Sequence, residues 1–173
     1  MRGKIPMEEE KFLKVVPILR DLDERELHQF LNIAHRVRFP RGQVILTEGQ
    51  TAETMYVIEE GMVVVSKTLV MARGSEDSRD RDKILTKLSA EDHATFGEVA
   101  LFEEGKRTAT VVAVTDCLLL EISKADFLKL AEENPRIGYK ITRNIAGLLC
   151  SRLRKAGEDT IKLTTALSLA LSR

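Results

Sequence analysis

Apolar positions recur three and four residues apart at the start of the chain and change to short blocks in its middle. Phe12, Val15, Val16 and Leu19 share one helical face, and Pro17 ends or kinks that first helix. A second helix is predicted from Asp23, because Asp23-x-x-Glu26 reads as a capping box and Leu27, Phe30, Leu31 and Ala34 line one face. From about His35 the period shortens. Val37–Phe39, Val44–Leu46, Met55–Ile58 and Met62–Val65 are short and rich in β-branched residues. Turn residues separate them, with Gly42, Gly49 and Gly61 at positions suited to positive φ. Ile84–Leu88, Thr110–Val114 and Leu118–Ile122 continue the pattern, which predicts antiparallel strands in a barrel or sandwich. Ser123-x-x-Asp126 caps a further helix that stops at Asn134-Pro135. A longer one carries Ile137, Ile141, Ile145, Leu148 and Leu149 on one stripe and is predicted to end at Gly157. A last amphipathic segment carries Leu163, Leu167, Ala170 and Leu171. The order is helices, about eight strands, then helices: an α+β arrangement with segregated elements.

Composition narrows the function classes. The chain has 173 residues, one ordinary domain, with 27 Lys+Arg against 27 Asp+Glu. A formal charge of zero gives no overall pull toward nucleic acid or an anionic membrane, so an anion site has to be built locally. Residues 73–83 hold four basic and four acidic residues and read as a solvated hairpin loop. Cys117 and Cys150 belong to no metal or redox pattern and read as small core residues. His28, His35 and His93 form no metal or catalytic constellation and read as surface residues, so nothing argues for an enzyme. The absence of a signal-like or membrane-spanning apolar run makes the cytoplasm the expected location.

One segment carries chemistry: Phe96-Gly97-Glu98-Val99-Ala100-Leu101-Phe102, then Glu103 to Gly105, then Lys106-Arg107-Thr108-Ala109-Thr110. A helix-like piece, Val99 to Phe102, offers free N–H groups to an anion. Gly97 allows close approach of a ligand to the backbone, and Arg107 follows a turn that can fold it over the same spot. Glu98 can accept a bond from a hydroxyl. An anion clamp beside a hydroxyl acceptor suits a sugar phosphate. A structural ion pair between Glu98 and Arg107 explains the same residues.

Phe96-Gly97-Glu98 and Arg107-Thr108-Ala109-Thr110, nine positions from glutamate to arginine, resemble the phosphate-binding cassette of the cyclic-nucleotide-binding domain family. That family is found in the bacterial catabolite activator, cyclic-nucleotide-dependent kinases and gated channels. The turns at glycines 42, 49 and 61 and the Met55-Tyr56-Val57-Ile58 strand also resemble it, and the similarity runs from about Leu13 to about Arg154. The resemblance implies an antiparallel jelly-roll barrel, a double-stranded β-helix of about eight strands flanked by N- and C-terminal helices. It implies a domain over residues 8–155 with a helical extension over 156–173. The ligand would be cAMP or cGMP, with no cofactor or metal. Arg107, Thr108 and the backbone at Val99 and Ala100 would hold its phosphate, and Gly97 and Glu98 its ribose. Thr108 hints at cGMP tolerance. The helix from Pro135 would cover the base and signal by moving, and a homodimer through the C-terminal helices is expected. Eighteen residues after Lys155 are too few for the helix-turn-helix of the family's transcription factors, so direct DNA binding is not expected. The family's glycine before Phe-Gly-Glu is missing from Ser89–Thr95, which motivates a second reading: a ligand-free dimerisation or docking scaffold.

Overall fold

Alternating apolar residues in the middle of the chain form two four-stranded antiparallel sheets in a computed structural model that describes residues 6–51, 53–69 and 81–172. The strands are β1 (Ala34–Phe39), β2 (Val44–Leu46), β3 (Thr54–Glu60), β4 (Met62–Leu69), β5 (Arg81–Ser89), β6 (Thr95–Phe96), β7 (Thr110–Ala113) and β8 (Cys117–Ser123). One sheet has the order β1-β8-β3-β6 and the other β2-β7-β4-β5. Helices α1 (Met7–Val15) and α2 (Glu24–Leu31) precede the sheets, and α3 (Lys124–Glu133) and α4 (Pro135–Leu171) follow them. This is the expected α+β jelly roll. Only the two-residue β6 carried no strand signal of its own in the sequence.

Strand β3 is buried on both faces, and its period of two sorts its side chains. Tyr56 and Ile58 turn into the space between the sheets with Leu46, Val63, Phe96, Val111 and Leu119. Met55 and Val57 turn the other way, into a second core with Leu13, Leu27 and Phe30 of the N-terminal helices and Ile137, Ile141 and Ile145 of α4. Each of these isoleucines is almost fully buried and contributes about 2 kcal/mol. The predicted stripe on α4 therefore packs on its own domain, with Leu148 and Leu149 partly buried at its end.

Local signals set the helix ends. The Asp23 carboxylate accepts from the Glu26 N–H at 3.0 Å, and Glu26 returns the bond to the Asp23 N–H at 2.8 Å, a complete capping box. Ser123 caps α3 by accepting from the Asp126 N–H at 3.0 Å. The capping glutamate also faces Lys140 at 2.5 Å, and Asp21 meets Arg143 at 2.7 Å, so α2 and the turn before it are tied to α4.

Four details differ from the sequence reading. Helix α4 does not stop at Gly157 but runs unbroken for 37 residues, ~55 Å, to Leu171. A glycine inside a helix weakens it by only about 1 kcal/mol and does not end it without a competing cap. Arg81–Lys83, placed in the polar loop, extend β5 opposite Leu69, Thr68 and Lys67, while the rest of that predicted loop, 73–80, lies outside the described residues. Cys150 is exposed on α4, although Cys117 is buried as expected. His93 is half-buried at φ 49°, edge-on to Phe12 with ring centroids 6.0 Å apart. It makes the left-handed turn that a glycine would make in the 89–95 segment.

Candidate functional site

The cassette folds between β6 and β7 as a 3-10 turn over Glu98–Leu101 followed by an irregular return to Arg107. Gly97 enters it at φ 79°. A Cβ at that position would lie 2.9 Å from the Thr54 carbonyl oxygen and 3.0 Å from Arg107 Nη1, so only glycine lets the arginine lie against the turn. The return strand is pinned at both sides: Arg107 N–H donates to the Gln50 carbonyl at 2.7 Å, and Gly49 N–H to the Arg107 carbonyl at 2.9 Å.

Arg107 is 9% exposed. Its Nη1 donates to the Thr54 carbonyl and its Nη2 to Thr54 Oγ1, both at 2.8 Å. Among the described residues it forms no ion pair. The expected alternative, a structural pair with Glu98, is not what the fold builds: Glu98 Oε1 accepts instead from Arg152 Nη1 at 2.5 Å. Burial pushes the Arg107 guanidinium below its ordinary pKa, and the fields of Tyr56 and Glu121 pull it back up. It stays charged, because a guanidinium is not deprotonated in a protein. The result is a buried cation with no contacting carboxylate among the described residues, an arrangement that is costly unless something anionic completes it.

Beside this cation lies a cavity of about 960 Å³. The cassette from Gly97 to Ala109 forms one wall, Leu46, Val65 and Ile84 of the second sheet another, and Arg152, Lys155, Ala156 and Asp159 of α4 the third. All six residues singled out in the sequence, Gly97, Glu98, Val99, Ala100, Arg107 and Thr108, line it. Thr108 is exposed at its rim. The Ala100 N–H already leans on the Gly97 carbonyl at 3.2 Å, which leaves the earlier N–H groups of the turn as its freer donors. Glu98 is 2% exposed, and its Oε2 has no hydrogen-bond partner among the described residues. A buried acceptor without a donor is a site for a hydroxyl or water.

The cyclic nucleotide-binding domain family matches residues 36–134, more than half of the chain. The chain belongs to that family. The domain is 34% identical over 130 residues to the cAMP-activated global transcriptional regulator CRP of Haemophilus influenzae, covering 75% of this chain and 54% of that protein. It is 29% identical over 144 residues to the cyclic AMP receptor protein of Thermus thermophilus, covering 83% of this chain and 60% of the relative. The crystal structure of the Thermus thermophilus catabolite activator protein superposes with a TM-score of 0.72 at 28% identity, over 86% of this chain and 63% of that one. The domain thus spans little more than half the length of these curated relatives.

Sequence reasoning missed four residues of the site. Arg152 was hidden because it lies 54 positions from Glu98 and meets it only when α4 packs back over the barrel. Thr54, Tyr56 and Glu121 were hidden because strand register, not local pattern, gathers them around Arg107. Within the described residues no cluster of three or more His, Cys, Asp or Glu side chains is arranged to hold a metal ion, and no helix is long and apolar enough to cross a membrane.

Proposed function

We propose that this domain is a sensor that binds a cyclic nucleotide, cAMP or cGMP, and signals through its C-terminal helix. The observation that carries the reading is the buried Arg107, without an ion pair among the described residues, facing a cavity of about 960 Å³, a volume ample for a mononucleotide. In the bound state the guanidinium and the N–H groups near Val99 and Ala100 would take the phosphate oxygens. The free Oε2 of Glu98 would accept from the ribose 2′-hydroxyl, beside the Gly97 backbone. Thr108 stands where a hydroxyl can reach the phosphate or an amino group of the base. The relatives' names, a cyclic AMP receptor and a cAMP-activated regulator, favour cAMP. A ligand-free scaffold has no reason to keep a cation buried beside an open cavity, which weighs against that second reading. Calorimetry with cAMP and cGMP tests the proposal: one-to-one binding of either is expected, and no heat and no thermal shift with both overturns it.

The signalling route runs through Arg152. It bridges Glu98 to α4 through Oε1 and also donates to the Thr95 carbonyl at 2.7 Å, so a ribose bound at Oε2 of the same carboxylate shifts the charge and position that Arg152 meets and changes the hold of α4 on the cassette. In the wild-type chain, nucleotide is expected to change hydrogen exchange across residues 150–171. In Arg152→Ala that response is expected to vanish while binding persists. An equal response in both proteins rejects the route.

The distal half of α4 also supports the proposed homodimer. Leu153, Ile161, Leu167, Leu169 and Leu171 are each at least 60% exposed, and a lone helix with such a surface gains by burying it against a second chain. Light scattering is expected to give a dimer for the wild-type chain and a monomer for the double variant Leu153→Glu, Leu167→Glu. A wild-type monomer at tens of micromolar eliminates this arrangement.

A further inference from the structure

Three hydrogen bonds running from Arg107 to Glu121 point one way. Tyr56 O–H donates to Glu121 Oε2 at 2.6 Å. Thr54 Oγ1 donates to Tyr56 Oη at 3.3 Å, the longest link. Arg107 Nη2 donates to Thr54 Oγ1 at 2.8 Å. The arrangement follows from strand geometry: the period of two puts Thr54 and Tyr56 on one face of β3, and the register sets Tyr56 opposite Glu121 of β8. Tyr56 is fixed in turn by stacking on Phe96, its other cross-strand partner, with ring centroids 5.2 Å apart.

Rotor by rotor, the chain leaves no freedom. The tyrosine proton is committed to the carboxylate, so the phenolic oxygen can only accept from Thr54. The threonine proton is thereby used, and toward the guanidinium its oxygen can only accept. Burial and the bond to Glu121 push the Tyr56 pKa up to about 12, so the phenol remains a donor throughout the physiological range. Glu121 sits two side chains away from Arg107. It lends the cation a favourable field without occupying the N–H groups that face the cavity.

We propose that Glu121, Tyr56 and Thr54 form a positioning relay that fixes the rotamer of Arg107 for an incoming phosphate while keeping its neutralising carboxylate off the binding face. The proposal rests on the cyclic-nucleotide reading of the same site and names the residues that set its affinity. A purely structural role for these residues would fill the barrel and satisfy the tyrosine hydroxyl without any coupling to the arginine.

The test uses the full 15N-labelled chain, with Tyr56→Phe, which keeps the stacked ring, and Thr54→Val, which keeps the shape of the side chain. Their double variant and Thr54→Ser, which keeps the hydroxyl, complete the set. Arg107 guanidinium N–H signals, assigned by their loss in Arg107→Lys, are read without ligand, and cAMP affinity by calorimetry. Distinct N–H signals are expected in the wild type and Thr54→Ser, and averaged ones in Tyr56→Phe and Thr54→Val. Each of the latter two is expected to weaken cAMP binding about tenfold, as loss of a bond to a charged group does. The double variant is expected to be no weaker than Thr54→Val alone. Unchanged signals and affinity in Tyr56→Phe, or losses that multiply in the double variant, overturn the relay. If the wild-type chain binds neither cAMP nor cGMP, the cyclic-nucleotide reading fails, and the guanidinium signals alone decide the relay; if it binds only cGMP, the affinities are read with cGMP.

Discussion

Arg107→Ala is expected to weaken cyclic-nucleotide binding by more than about a hundredfold while leaving the fold intact. The phosphate would meet this guanidinium in a site shielded from water, where removing one partner of a buried charge pair costs about 3–5 kcal/mol, and about 2.8 kcal/mol is already a hundredfold. The stability of the unliganded chain should change far less. Removing the side chain frees one backbone carbonyl and one hydroxyl of Thr54 next to a cavity that water can enter, and it also removes a buried charge that no carboxylate among the described residues contacts. Calorimetry with the better of cAMP and cGMP, beside urea unfolding of both proteins without ligand, separates the two effects. Similar affinity in the two proteins would mean that the anion is held elsewhere. A loss of binding matched by collapse of the fold would make Arg107 structural.

Gly97→Ala should damage stability and binding together. Its backbone sits at φ 79°, where a side chain costs about 1–2 kcal/mol. The new Cβ would also stand 2.9 Å from the Thr54 carbonyl and 3.0 Å from Arg107 Nη1. The carbonyl is part of β3 and yields little; the guanidinium moves more easily. A loss of about 2 kcal/mol or more in urea unfolding is expected, with affinity for the nucleotide reduced about tenfold or more as Arg107 leaves its seat on Thr54. Full affinity in this variant would show that the arginine does not need the glycine beneath it.

Both predictions concern residues that the sequence already singled out, and the reason is local. The spacing of Glu98 and Arg107 around a short turn keeps the cassette within one stretch of chain, so residue type and separation are enough to mark it. Helix caps are equally local: the Asp23–Glu26 capping box and the Ser123 side-chain cap on the Asp126 N–H form as their spacing suggests. The ends of long elements were harder. Gly157 has the residue type of a helix stop, with Arg154 and Lys155 before it, but no proline and no apolar residue follows it directly to close a cap, and α4 continues through it. At His93 the opposite occurred: no glycine marked the turn, yet the chain adopts positive φ there.

Taken alone, the order of amino acids determined the kinds of element, the faces they bury and the stretch that carries Glu98 and Arg107 around one turn, because these depend on periodicity and on neighbours a few positions away. Tertiary structure decided which carboxylate meets which cation. Glu98 is paired with Arg152 across 54 residues and Tyr56 with Glu121 across 65, while Arg107 is left to the oxygens of Thr54. Pairings at such separations depend on strand register and on how one helix packs over the barrel. Those are set by burying the whole apolar surface at once, and no local window of the chain contains that information.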